Sequence, residues 1–144
     1  MSSAPQVVFM PGGVRTEIHL TGEDTGGFFC LLVDEPPAGW SLPAHLHAEA
    51  AETIHIVEGE FEMAIDGQVE RLSAGETVHI PPGIVHSGAN VGDGHGRRLL
   101  TFSPAGMEEF FLEAGAPSPE AEVDLATAAA AARRHGWQFV DRPA

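Results

Sequence analysis

A chain of 144 residues is long enough to bury one hydrophobic core without disulfide staples. Its 43% hydrophobic and 19% charged residues exclude a disordered chain, and no apolar run approaches membrane-spanning length. Twenty-one acidic residues against seven basic ones, all arginine, give a formal charge of -14, so a nucleic-acid duplex or an anionic membrane would be repelled.

In chain order, residues 1–6 read as a polar tail and Val7 to Phe9 as a short edge strand, stopped by Pro11, Gly12 and Gly13. The opening MSSAPQVVFMPGG lacks a basic start and a long apolar segment, so a cytoplasmic rather than a secreted protein is expected. Arg15 to Leu20 alternates as a strand does, and Thr21 to Gly27 is a turn cluster. Phe28 to Asp34 is an apolar run of strand length, which makes its lone cysteine, Cys30, a buried strand residue rather than a nucleophile or part of a disulfide framework.

Glu52 to Val57 alternates, with Glu52, Ile54 and Ile56 on one face and Thr53, His55 and Val57 on the other. Asp66-Gly67 is a hairpin signal joining Glu60 to Ile65 with Gln68 to Leu72. Thr77 to Ile80 and Arg98 to Phe102 are the remaining strands, separated by the Pro81 to Gly83 corner and a glycine-rich turn from Asn90 to Gly96. Seven or eight short strands at this spacing predict an all-β antiparallel sandwich or barrel. Beyond Ser103 the pattern turns helical. Met107 to Ala114 ends at Gly115 as a glycine C-cap, and the alanine-rich stretch Glu120 to His135 carries acids at its start and Arg133 and Arg134 at its end, complementing the helix dipole. Gly136 stops this helix, leaving Trp137 to Val140 to return and pack on the barrel. The whole chain, residues 1–144, reads as one domain with a barrel core from about 14 to 103 and a helical tail from about 104 to 144.

The residues that carry chemistry lie between Gly39 and Asn90. One half holds Gly39, His45, His47, Glu52 and Gly59; the other holds Gly75, Pro81, Gly83, His86 and Asn90. Histidines two apart on an extended chain point the same way, so His45 and His47 can chelate one ion. Glu52 follows His47 at an odd separation, so a turn through Ala48 to Ala51 must restore its inward direction. The rigid Pro81 to Gly83 corner can set His86 on a strand of the facing sheet, bringing the fourth ligand from the opposite wall. Imidazoles with a carboxylate suit one borderline divalent metal: iron, manganese, nickel, cobalt, copper or zinc. Four protein ligands would leave two positions open on a six-coordinate ion.

These two motifs match both signatures of the cupin superfamily, with the short gap of Glu60 to Ala74 between them. The flanks LTGEDTGGFFCLL and FSPAGMEEFFLEAG resemble small single-domain bacterial cupins of the quercetin-dioxygenase-like kind. The resemblance implies a jelly-roll β-barrel, often paired as a homodimer, with metal ligands on His45, His47, Glu52 and His86. The exposed outer strand faces also favour a homodimer.

The chemistry expected is that of a metal-dependent dioxygenase on a small hydrophobic or aromatic enol or phenol, with Glu52 as ligand and occasional proton acceptor. There is no lysine to greet a sugar phosphate, and no tyrosine, which disfavours the cupin sugar epimerases and the thiol dioxygenases. Nor does one cupin unit of this length resemble the two-domain oxalate decarboxylases. Two other readings stand beside it: a non-redox isomerase, cyclase or lyase using the ion only as a Lewis acid, and a small-molecule binder without turnover. His55 and His79 are placed on outward strand faces, with an outer-shell or dimer-interface role open to them. His19, His95 and His135 read as surface or cap residues. Trp40, Phe61, Met63 and Phe102 are candidate cavity walls.

Overall fold

The computed structural model describes residues 4–141, and its architecture follows from the alternation just traced. Eleven strands form two antiparallel sheets packed face to face, with three helices among the described residues. The strands are β1 (Gln6–Met10), β2 (Val14–Leu20), β3 (Cys30–Glu35), β4 (Ser41–His47), β5 (Ala51–Glu58), β6 (Glu60–Ile65), β7 (Gln68–Ser73), β8 (Thr77–Ile80), β9 (His86–Asn90), β10 (Arg97–Ser103) and β11 (Trp137–Phe139). One sheet has the order β1-β2-β3-β10-β5-β8 and the other β11-β4-β9-β6-β7. No helix is long and apolar enough to cross a membrane.

The period of two decides which side chains reach the core. On β5, Glu52, Ile54 and Ile56 are buried while Thr53 and His55 turn outward. Ile54 and Ile56 join Leu100 and Phe102 of β10, Leu32 of β3 and Phe61 and Met63 of β6 in one apolar cluster. The β6–β7 hairpin turns at Asp66 (φ 51°) and Gly67 (φ 82°), the pair of left-handed residues that a tight two-residue turn needs. Asn90 ends β9 and ties down the next turn: its amide donates to the carbonyls of Pro36 and Gly94 and its Oδ1 accepts from Gly92 N–H.

Several predicted boundaries move. The apolar run starting at Phe28 becomes a strand only at Cys30, and Phe28 itself is 77% exposed, because the glycine pair before it belongs to a turn. That turn holds a one-turn helix α1 (Gly22–Thr25), capped by the reciprocal Thr21 and Asp24 contact. α2 (Met107–Ala114) lies as predicted, but Gly115 has an extended φ of -76° and is no left-handed cap. Its requirement is space, since an added Cβ would sit 2.7 Å from Val8 Cβ. α3 (Leu125–Arg134) starts five residues later than Glu120, because Asp124 caps it by accepting from Ala126 and Thr127 N–H. After α3 the chain adds β11 to the edge of β4, with Trp137 opposite His47 and Phe139 opposite His45.

Candidate metal centre

β4 carries His45 and His47 inward, and both are buried. Residues 48–50 then bend the chain from one sheet to the other, so Glu52 enters from β5 on the facing wall. His86 opens β9 directly opposite His45 in the antiparallel register. Its placement corrects the expectation drawn from the proline corner: His86 belongs to the same sheet as His45 and His47, and it is Glu52 that comes across the barrel. The reason is the β4–β9 pairing, which the local sequence does not specify.

Ring centroids lie 5.1 Å apart for His45 and His47, 4.2 Å for His45 and His86, and 5.3 Å for His47 and His86. One ring nitrogen from each of the three lies within 4.8 Å of the others, close enough to share one ion. Glu52 Oε1 approaches His47 Nε2 at 3.2 Å and His86 Nε2 at 3.3 Å. His45 Nδ1–H donates to Pro43 O at 2.8 Å and His86 Nδ1–H to Ile84 O at 3.0 Å. A carbonyl can only accept, so each ring, when neutral, keeps the Nε2 lone pair free.

Two buried ring nitrogens, His47 Nδ1 and His86 Nε2, have no hydrogen-bond partner. Buried polar atoms are seldom left so, and a coordinated cation satisfies such a lone pair. The donor set of neutral imidazoles with a carboxylate therefore fits a borderline divalent metal.

Electrostatics prepare the same groups. Burial, then the neighbouring His86, pushes His45 down to about 4, so it is a neutral donor at neutral pH. Burial opposes ionisation of Glu52, but the His47 and His86 imidazoles hold its carboxyl well below the usual carboxylate range. Burial likewise pulls His86 down, and the Glu52 carboxylate outweighs it, leaving His86 above its ordinary value.

The cluster opens on a cavity of about 380 Å³ whose walls are mostly apolar. Trp40, Met63 and Phe102 line it as anticipated, whereas Phe61 does not: it packs beneath Gly96 in the core. Sequence reasoning missed two parts of this site. Trp137 stacks on His45 at 4.8 Å and meets His47 edge-on at 4.6 Å, and α3 alanines with Phe110 and Phe111 close the same side. Arg98 and Asp34 form a buried pair in the wall. The signal for that pair was charged residues at inward positions of two apolar strands.

The remaining histidines lie elsewhere. His55 Nδ1 is 2.7 Å from Thr77 Oγ1 and His79 Nδ1 is 2.9 Å from Thr53 Oγ1, two cross-strand contacts on the outer face. His19 sits beside Glu17 and His135 beside Glu113, while His95 is exposed.

The cupin domain model matches residues 31–102. Quercetin 2,3-dioxygenase of Bacillus subtilis is 32% identical over 96 residues, covering 66% of this chain and 28% of the relative. Polyketide synthase CurC of Streptomyces cyaneus is 34% identical over 94 residues, 65% of this chain and 60% of the relative. The chain thus spans less than two thirds of either relative's length. Among solved structures, an RmlC-like cupin from Shewanella frigidimarina superposes with a TM-score of 0.63 at 23% identity, over 73% of this chain and 88% of that one, a likeness of fold.

Proposed function

The chain belongs to the cupin domain family, and from that premise we propose that it is a metal-dependent dioxygenase for a small hydrophobic or aromatic enol or phenol. The observation that carries the reading is the buried trio His45, His47 and His86 beside Glu52, with two unpartnered ring nitrogens, at the wall of a largely apolar cavity. In it the four residues hold one divalent transition metal. When bound, such an ion supplies Lewis acidity and redox contact between an activated organic ligand and dioxygen.

The protein's own contributions follow from the site. Burial keeps His45 neutral, and the Pro43 carbonyl orients its ring as that of Ile84 orients His86, so neither must reorganise to present Nε2. Glu52 supplies the carboxylate of the cluster, beside His47 and His86, and accepts the proton of a substrate hydroxyl. Trp40, Met63, Leu100 and Phe102 offer an apolar bed for the organic body and exclude water from the cluster. The quercetin dioxygenase relative supports this reading. A second reading, a non-redox isomerase, cyclase or lyase on the same site, stands beside it because the polyketide synthase relative matches as well as the quercetin dioxygenase and is not named an oxygenase.

The test is elemental analysis of protein purified without a metal-chelating resin, paired with oxygen uptake in the presence of a flavonol and a 1,3-diketone. Near-stoichiometric iron, nickel, manganese or copper with uptake supports the dioxygenase. Product without oxygen moves the assignment to the cyclase or isomerase. Saturable binding without turnover refutes both in favour of a binding protein, and a metal-free protein refutes the centre itself.

A further inference from the structure

Away from the histidines, the cavity wall contains one guanidinium among the described residues. Arg98 of β10 and Asp34 of β3 are direct cross-strand partners, 7% and 4% exposed. Arg98 Nε–H donates to Asp34 Oδ1 at 2.9 Å and Nη2–H to Oδ2 at 2.7 Å, a two-point contact along one edge of the guanidinium. That edge uses two of the five N–H donors. The end-on edge, made of Nη1–H and the second Nη2–H, has no acceptor among the described residues, yet Arg98 lines the cavity. Trp40 at 4.8 Å and Phe61 at 5.5 Å flank the guanidinium and fix its plane.

Arg98 Nη1 is not among the sealed polar atoms that lack a partner, so the free edge is open to the cavity it lines. The guanidinium fork matches the two oxygens of a carboxylate. Phe102 is opposite Glu52, and the Arg98 backbone is four residues further along the same strand face, roughly 13 Å at the usual strand rise. The guanidinium reaches back far enough for its charge to be felt at Glu52 and His86.

We propose that Arg98 is a specificity residue whose end-on edge binds a carboxylate of the substrate, in the same cavity as the histidine cluster. The proposal rests on the reading of this cavity as the substrate site. It narrows the substrate class to an apolar or aromatic body bearing a carboxylate, and it gives Asp34 the role of holding the fork in orientation.

The experiment is isothermal titration calorimetry with 3-phenylpropanoate, its methyl ester and its primary amide, on zinc-loaded and metal-stripped protein. The parent is expected to bind the acid about tenfold or more tightly than either neutral analogue, the ratio that a charge-assisted contact gives. R98K, which keeps the charge and loses the fork, is expected to forfeit most of that preference. Because removing one partner alone would strand a buried charge, the decisive variant is the double substitution R98M/D34M, in which an apolar pair replaces the ionic one. Folded by circular dichroism, it is expected to bind all three compounds equally.

A parent without acid preference, or without measurable acid binding, overturns the proposal. So does a preference that survives in R98M/D34M, and one that survives there but vanishes on stripping metal assigns the carboxylate to the metal instead. The outcomes separate from those of the dioxygenase reading. Acid preference in a protein that takes up no oxygen leaves Arg98 standing, whereas oxygen uptake with equal binding of acid and ester leaves only the dioxygenase.

Discussion

Replacing Trp137 by alanine tests whether the C-terminal segment is part of the site or an appendage to it. Trp137 is 8% exposed; it stacks on His45 at 4.8 Å, meets His47 at 4.6 Å and Phe110 at 4.9 Å, and its indole N–H donates to Met107 Sδ at 3.1 Å. Truncating a buried tryptophan costs about 3–5 kcal/mol, of which each aromatic pair supplies about 0.5–1.5 kcal/mol. For a chain of this length the loss lowers the melting temperature by about 10–20 °C. Trp137→Phe keeps the stack and loses the indole donor, so it should cost about 1–2 kcal/mol. With the rings of His45 and His47 freed on one side, metal affinity in the alanine variant should fall by about tenfold or more. Thermal unfolding followed by circular dichroism gives the first quantity and competition with a chelator the second. An alanine variant within about 1 kcal/mol of the parent, with unchanged metal affinity, would refute the view that β11 builds a wall of the centre.

Other outcomes follow from features already described. The double substitution His45→Ala and His47→Ala should abolish metal uptake while the barrel persists by far-ultraviolet circular dichroism; full occupancy on elemental analysis would sink the ligand assignment. Glu108 accepts from Gly22 N–H at 2.8 Å and Gly106 N–H at 2.6 Å, so Glu108→Ala should cost about 2–4 kcal/mol in urea unfolding. Burial opposes ionisation of that carboxyl, but the backbone donors of Gly22 and Gly106 hold it below its ordinary 4.5. Its stabilisation is therefore present above pH 4.5 and lost as pH falls through the lower folded value. The stability gap between parent and Glu108→Gln should shrink in that window, and a gap independent of pH would contradict the assignment. Gly96→Ala would put a Cβ 2.3 Å from Phe61 Cζ, against a ring that is 1% exposed. It should cost about 1–3 kcal/mol, read as a lower urea midpoint with an unchanged slope.

The sequence speaks most plainly where a rule is local. Alternation along Glu52 to Ile56 assigns the inner face of β5, Asp66-Gly67 closes the β6–β7 hairpin, and the two-residue spacing of His45 and His47 turns both rings one way. What local rules omit is which strands become neighbours. The position of His86 beside His45 depends on the β4–β9 register, and the contact of Trp137 with both histidines depends on an edge pairing between distant segments. Arg98 and Asp34 stand out as charges at inward positions of apolar strands, but that they are each other's partners appears only when β3 and β10 pair and set them face to face. Phe28 shows the converse error: apolar character alone extended a strand into a turn, although Gly26 and Gly27, with φ of 70° and 87°, had already broken it.

The pairing of β11 with β4 also sets a timetable. Trp137 lies about 90 residues after its partner His47, so at roughly 5–20 residues per second a ribosome needs about 5–20 s to deliver the covering strand after β4 has been made. For the later part of that interval, once β9 has paired with it, β4 is an open sheet edge, a template for pairing with other chains, and the histidine pocket lacks its aromatic wall. Metal supplied to the nascent chain meets a more accessible site than metal offered to the finished protein. The order in which ion and C-terminal strand arrive is therefore itself a variable of maturation.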